Sequence, residues 1–361
     1  MKIMHCEDNR AEKQKVFIET ADGKFKYQLF MDYAKGLPEE YALVPIQGNI
    51  SGGCVDKDDN LYCGLRGGGG FMSPFPETCL IKLDPEGNYL GHIGDGLLGH
   101  LHFFECTDHD TMVVLQTNND YAIEITMDGK EIVRTFGEKN HPTDNGRNQA
   151  TQYYWERIHR GLYATEPFAG YDSGSFGQYQ GFQTAKLTGP FNKPTDVDFD
   201  SQGNYYFSDG YGNVAVHKFD AAGNYVKTWG GVGVYDNETD TPGKFLVPHS
   251  ICVDAKDQVW VCDREKDAVH VFDTEGNVLA YCSHNMSQPS GVDCDGEYVY
   301  VVGRGGYLTI FDLDCNIVGE LGFFNGNLRG HHLVTDSRGN LYLFPTHANF
   351  EHQIIALKRV K

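Results

Sequence analysis

Three kinds of residue pattern are missing from this sequence, and each absence removes a class of function. Basic residues never gather into a run, and 30 Lys and Arg stand against 50 Asp and Glu, for a formal net charge of −20. A surface this acidic repels phosphate backbones and anionic headgroups, so nucleic acid and membrane surfaces are excluded as partners. Long apolar runs are also missing, so no segment reads as a bilayer span. The stretch from Met1 to Arg10 has no apolar core and turns charged at once, so no secretory leader is expected. Finally, no two cysteines are spaced CxxC, which removes zinc knuckles and thioredoxin-type redox motifs. Five of the 10 cysteines (Cys54, Cys106, Cys252, Cys262 and Cys294) fall inside apolar, strand-like runs, where a thiol behaves as a small hydrophobe. Free thiols in a reducing, cytoplasmic setting are the expectation.

Glycine, by contrast, is abundant: 43 of 361 residues, dispersed rather than periodic at three, which points to many tight turns. With 22 Phe and 21 Tyr the chain can fill a sizeable core. Self-similarity then decides the fold class. From Phe191 to Gly230 the chain runs Pro-Thr and an alternating strand, an Asp-x-x-Gly-Asn turn, Tyr205-Tyr-Phe-Ser-Asp209, Val214-Ala-Val-His-Lys-Phe-Asp220, a second Gly-Asn turn and Tyr225-Val-Lys-Thr-Trp-Gly230. The same order returns from Val247, Gln288, Gly330, Ile50 and Leu101. Units of about forty residues with four short period-2 strands are propeller blades. Six fit, so the expected fold is all-β, a six-bladed β-propeller over residues 45–361. Residues 1–44 would close the ring, with the alternating stretch 15–31 lending an outer strand to the last blade. One segment, 138–190, breaks the period. Its Gly, Tyr, Gln and Asn, with Tyr153 to Arg160, suggest an ordered lid or an oligomer contact.

Aligned on the strand that ends just before each Asp turn (Val55, Cys106, Phe199, Val253, Cys294, Thr335), the units show a second pattern. Four residues upstream stand Ser51, His102, Thr195, His249, Ser290 and His331. Hydroxyls and histidines alternate. Alternate blades of a six-fold ring sit about 120° apart, so three imidazoles at this height would form one trigonal face with an open position, as a three-histidine catalytic zinc site requires. The small hydroxyls Ser51, Thr195 and Ser290 would leave room for substrate and supporting hydrogen bonds. With 15 histidines in the chain, chance would put three at alternate equivalent positions on the order of once in ten thousand. A histidine near a propeller axis is often only bonded to neighbouring backbone, and His100 and His332 compete for the assignment, though the phase favours His102 and His331. His92, His141, His159, His217, His270, His347 and His352 share no phase and read as surface or packing residues.

At this point the residues resemble a known family. The Pro-x-Asp/Ser-Val/Ile openings and Gly-Asn turns are those of NHL-repeat propellers. Within them the chain looks like the peptidyl-α-hydroxyglycine α-amidating lyases. The strings that carry the resemblance are Phe191-Asn-Lys-Pro-Thr-Asp-Val197 with Ser208-Asp-Gly-Tyr-Gly-Asn213, Val247-Pro-His-Ser250 with Asp263-Arg-Glu265, and Leu65-Arg-Gly67 ahead of Thr78-Cys-Leu-Ile-Lys-Leu-Asp-Pro85. By that resemblance His102, His249 and His331 match zinc ligands, Tyr211 a catalytic tyrosine, and Arg66 and Arg264 arginines of the substrate site. The implied reaction cleaves an N–C(OH) carbinolamide to an amide and glyoxylate. Plainer readings stand beside these: Tyr211 as a turn aromatic, Arg264 with Asp263 as a structural pair, and Arg66, followed by Gly67 to Gly70, as part of an ordinary loop.

The sequence also departs from that family. Where it carries Asp after the third histidine, supporting a structural Ca2+, this chain has His332, so calcium is not expected. A Met-Pro pair is replaced by Arg329-Gly330, and disulfide cysteines of secreted animal enzymes are absent at Gly212 and Trp260. The expected partner is a small-molecule or short-peptide substrate, smaller than a peptide hormone. Two alternatives remain open: a non-catalytic propeller that binds protein or peptide at its rim, and a metal-dependent hydrolase or hydratase on the same fold.

Overall fold

The computed structural model describes residues 16–31, 33–41, 50–67, 78–143, 189–231, 233, 242–283, 286–322, 328–345 and 354–360. Most of the 138–190 insertion, including Tyr153 to Arg160, lies outside the described residues, as do His159, His347, His352 and Gly68 to Gly70.

Two strands, β1 (Val16–Glu19) and β2 (Lys26–Phe30), precede the first full repeat. The first blade holds β3 (Ile50–Val55), β4 (Leu61–Leu65), β5 (Cys79–Leu83) and β6 (Tyr89–Ile93). The second holds β7 (Phe104–Cys106), β8 (Thr111–Gln116), β9 (Tyr121–Thr126) and β10 (Ile132–Gly137). The third holds β11 (Asp196–Phe199), β12 (Tyr205–Asp209), β13 (Ala215–Phe219) and β14 (Tyr225–Gly230). The fourth holds β15 (Pro248–Val253), β16 (Val259–Asp263), β17 (Ala268–Phe272) and β18 (Val278–Cys282). The fifth holds β19 (Pro289–Cys294), β20 (Tyr298–Gly303), β21 (Tyr307–Asp312) and β22 (Ile317–Gly322). The sixth begins with β23 (His332–Thr335), β24 (Leu341–Phe344) and β25 (Ile355–Arg359). All neighbours within a blade are antiparallel, and innermost strands pack in ring order until β23 meets β3. The fold is a six-bladed all-β propeller.

The turns explain why each repeat folds as it does. At the first turn of the third blade, Asp200 accepts Gln202 N and Asn204 N on one oxygen and Asn204 Nδ2 on the other, while Gly203 turns through φ +76°. A short acidic side chain satisfies the turn's amides, and glycine supplies the left-handed residue that follows. The apolar core is divided into six clusters, one between each pair of adjacent blades. A blade therefore buries its faces only against its neighbours, which makes closure of the ring necessary for stability.

Closure uses more chain than the alternation alone suggests. The sixth sheet has five strands in the order β1-β2-β25-β24-β23. Strand β2 pairs with β25, Tyr27 opposite Arg359 and Phe30 opposite Ala356, and β1 adds outside it. Phe25 and Tyr27 are fully buried against the fifth blade's Tyr300, Leu308 and Leu321. These two aromatic side chains are what anchor the N-terminal hairpin.

Candidate metal centre

The ring position identified by the repeat coincides with a break in strand register. Pairing of β15 with β16 steps from Pro248–Asp263 to Ser250–Cys262, leaving His249 out of the ladder; pairing of β19 with β20 does the same at Ser290. In the first blade the break spans Ile50 to Gly53 and contains Ser51. A bulge of this kind bends the strand and re-aims one side chain. It turns His249 towards the axis.

The three histidines meet there. Ring centroids of His102, His249 and His331 are 5.0, 5.1 and 4.8 Å apart, nearly an equilateral triangle, with interplanar angles of 81°, 75° and 74°. One ring nitrogen from each lies within 4.8 Å of the other two, and among the described residues this is the group of His, Cys, Asp and Glu able to hold an ion. Each Nδ1 bonds a main-chain carbonyl of the next blade: His102 to Thr195 O at 2.6 Å, His249 to Ser290 O at 2.8 Å, and His331 to Ser51 O at 3.0 Å. A carbonyl can only accept, so Nδ1 carries the proton and Nε2 presents a lone pair. Burial pushes the pKa of all three well down, and Arg66, Arg264 and the neighbouring imidazoles add to the effect. The triad is therefore neutral, the form a metal ligand must take.

Tyr211, half-buried, follows β12 by two residues and reaches the same point. Its hydroxyl oxygen lies 3.0 Å from His102 Nε2 and 2.9 Å from His249 Nε2. A phenol has one hydrogen and cannot satisfy two lone pairs at once. That imbalance is the fit a cation answers, and the donor set of three imidazoles suits zinc. Arg264, buried, donates from Nη1 to Tyr211 Oη at 3.2 Å and from Nε to Glu265 at 2.7 Å, and its guanidinium carbon stands 5.4 Å from the tyrosine ring centroid. Arg66, also buried, donates from Nε to the carbonyl of Leu101 at 2.8 Å. Burial lowers its pKa to about 10, which leaves it a cation at neutral pH.

Ser51, Thr195 and Ser290 support the triad from the neighbouring blades. Their hydroxyls turn to main-chain carbonyls: Ser51 to Gly64, Thr195 to Ser208 and Pro248, Ser290 to Gln288. Their own carbonyls fix the imidazoles by accepting from Nδ1. His332 stays out of the triad. Its Nδ1 accepts from Gly53 N at 3.3 Å, and its ring lies against Phe103, centroids 3.9 Å apart. His100 also stays outside; burial pulls its pKa down to about 4. His217 and His270 are fully buried beside Asp209 and Asp263, His217 Nε2 at 2.9 Å, and so pack blades three and four. His92 pairs with Asp95 and His141 with Glu138 near the surface.

Phase alone did not reveal Phe103, the residue after the first histidine. Its ring centroid lies 4.0, 5.3 and 5.0 Å from His102, His249 and His331, so it fills the axis against the triad. The one phenyl ring at a position otherwise held by Gly52, Asp196, Ser250, Gly291 and His332 was the available signal.

Comparison with known proteins places this geometry among relatives. The NHL repeat model matches residues 245–272, the first three strands of the fourth blade. Peptidyl-glycine alpha-amidating monooxygenase A of Xenopus laevis is 33% identical over 106 residues, 28% of this chain and 11% of that protein. The probable peptidyl-alpha-hydroxyglycine alpha-amidating lyase of Caenorhabditis elegans is 37% identical over 83 residues, 23% of either chain. Human NHL repeat-containing protein 3 is 28% identical over 116 residues, 31% of this chain and 32% of that protein. Each match thus spans under a third of the relative's own length. The selenomethionine-substituted virginiamycin B lyase of Staphylococcus aureus superposes over 93% of this chain and all of its own, with a TM-score of 0.54 at 11% identity. That likeness speaks for the propeller fold alone.

Proposed function

We propose that this chain is a metal-dependent carbon–nitrogen lyase of the peptidyl-α-hydroxyglycine α-amidating type, acting on a small carbinolamide with zinc at His102, His249 and His331. The observation that carries this reading is the placement of Tyr211 Oη within 3.0 Å of two imidazole Nε2 atoms and 3.2 Å of the Arg264 guanidinium. A proton-transfer group, a cation and an ion site meet at one point.

The reaction needs few parts. The carbinol hydroxyl gives up its proton, the C–N bond breaks with its electron pair leaving on nitrogen, and the C–O bond becomes a carbonyl. Nitrogen takes a proton, and the products are an amide and glyoxylate, with no oxidant consumed. Bound zinc would supply Lewis-acid polarisation of a substrate oxygen. Tyr211, once ionised to the phenolate, would take the hydroxyl proton, becoming the neutral phenol, and then return that proton to nitrogen. The Arg264 cation beside it stabilises negative charge that develops on the phenol oxygen. Arg66, from the first blade, and Arg264, from the fourth, would supply the bidentate contacts that capture the substrate carboxylate. Phe103 keeps water from one side of the triad. No helix among the described residues is long and apolar enough to cross a membrane. The buried thiols of Cys54, Cys63, Cys252 and Cys262 are in keeping with a reducing, cytoplasmic setting.

The test is glyoxylate release from an N-acyl-α-hydroxyglycine by protein reloaded with zinc after chelation. Turnover that appears with zinc and vanishes with chelator supports the lyase. Metal-free protein with no turnover and less than about a tenth of an equivalent of bound zinc supports instead the binding-only propeller, for which the match to NHL repeat-containing protein 3 speaks.

A further inference from the structure

Arg66 and Arg264 occupy one repeat position. Arg66 follows Leu65, which pairs with Ile50, the residue before Ser51. Arg264 follows Asp263, which pairs with Pro248, the residue before His249. The fifth blade repeats the relation, because Gly303 pairs with Pro289, the residue before Ser290, and the next residue is Arg304. By register, then, three blades carry arginine at the same height and the same distance from the ring.

Arg304 is also held in a built loop. Its N–H donates to Gln288 O at 3.0 Å, and Gly305 N donates to Ser287 O at 3.0 Å. Side chains at Gly303 or Gly305 would collide with Ser287, so only glycine lets the loop close this tightly. Gly330 N, just before His331, reaches Gly303 O at 3.4 Å. On the other flank Gln288 Nε2 donates to Glu265, the partner of Arg264, at 3.3 Å. Arg304 therefore sits between Arg264 and His331, half-buried, and its charge is among those that bear on His331. In a chain of net charge −20, three guanidiniums around one mouth form a local reversal of sign that concentrates anions.

We propose that Arg304 is a specificity residue that binds a second anionic group on the substrate, so that the natural carbinolamide is a small dianion whose acyl portion carries its own carboxylate. This rests on the lyase reading for the reaction, though not for the anion subsite. The first carboxylate takes Arg66 and Arg264, and the second lies towards the fifth blade.

The experiment compares N-succinyl-α-hydroxyglycine with its monoanionic amide isostere N-succinamoyl-α-hydroxyglycine on zinc-loaded full-length protein. The KM of the succinyl compound is expected to be lower by about tenfold or more, the scale of a charge-assisted bidentate contact. In Arg304→Gln the ratio of the two KM values falls to near one, and Arg304→Lys keeps part of it. Equal KM values in the unmutated protein, or a ratio that survives in Arg304→Gln, overturn the proposal and leave the lyase reading intact. If neither compound is cleaved, the lyase reading fails, and calorimetry with succinate against succinamate decides the subsite. Preferential succinate binding that is lost in Arg304→Gln upholds it, and equal binding overturns it.

Discussion

Oη of Tyr211 lies 2.9 Å from Nε2 of His249, and the phenol approaches that imidazole from outside its own blade. The third blade thereby delivers a proton-bearing group to an imidazole of the fourth. Removing only that oxygen isolates its role. Tyr211→Phe is expected to lower glyoxylate release by at least about a hundredfold, in the range of general acid–base catalysis, with bound zinc unchanged. Turnover and metal content measured on one sample check this; metal lost in step with activity would make Tyr211 a ligand instead.

The histidines can be separated into two kinds by metal analysis. His249→Ala and His331→Ala are each expected to hold less than about a tenth of an equivalent of zinc, because two imidazoles do not complete the site. His217→Ala serves as the contrast. It removes a fully buried ring bonded to Asp209 and Thr228, so it should lower thermal stability and keep its zinc.

Phe103 fills the axis beneath three imidazoles. Phe103→Ala should cost about 3–5 kcal/mol of stability, the usual range for emptying a buried aromatic site. Looser support should also weaken zinc binding, since the imidazoles lose a packing face. Denaturant unfolding and a zinc titration of the same variant give both numbers. A variant with full stability and unchanged affinity would show that the axis collapses onto the gap.

Further along the channel, burial raises the pKa of Glu105 and Asp198 well above the ordinary carboxyl range and that of Asp293 to about 6. Folded protein then holds protons that the unfolded chain releases near pH 4. The stability these groups give is fully present below about pH 4 and is lost as pH rises through about 6 and beyond. Glu105→Gln keeps the acceptor for Cys106 N, now 3.0 Å from Glu105 Oε1, and cannot ionise. Unfolding of chelated protein between pH 5 and pH 8 should show the variant gaining on the unmutated chain as pH rises. A gap that stays flat means that Glu105 is already ionised or solvated in the fold.

The fold was legible because repetition multiplies a weak signal: one Gly-Asn turn means little, and a series of them in register means a ring. The histidine phase was legible for the same reason. What the side-chain code omitted was the work of the main chain. Ser51, Thr195 and Ser290 read as hydroxyl donors, yet their carbonyls hold the imidazoles, and any residue has a carbonyl. Bulges at His249 and Ser290 are likewise backbone events without a residue signature. The N-terminal alternation suggested one added strand; the second appears because Phe25 and Tyr27 need burial against the fifth blade. Arg304 was overlooked because its equivalence to Arg66 and Arg264 lies in pairing register, on the strand after the aligned anchors.

The three histidines belong to the second, fourth and sixth blades, which share no sheet, and the sixth blade is closed by β2 pairing with β25. An ion bound at the axis would act as a keystone: its affinity includes the free energy of keeping the ring shut. A ligand in thousandfold excess over its dissociation constant adds about 4 kcal/mol to the state that binds it. Damage at the hairpin of β1 and β2, on the rim of the disc, should therefore be felt at its hub as a weaker grip on the metal.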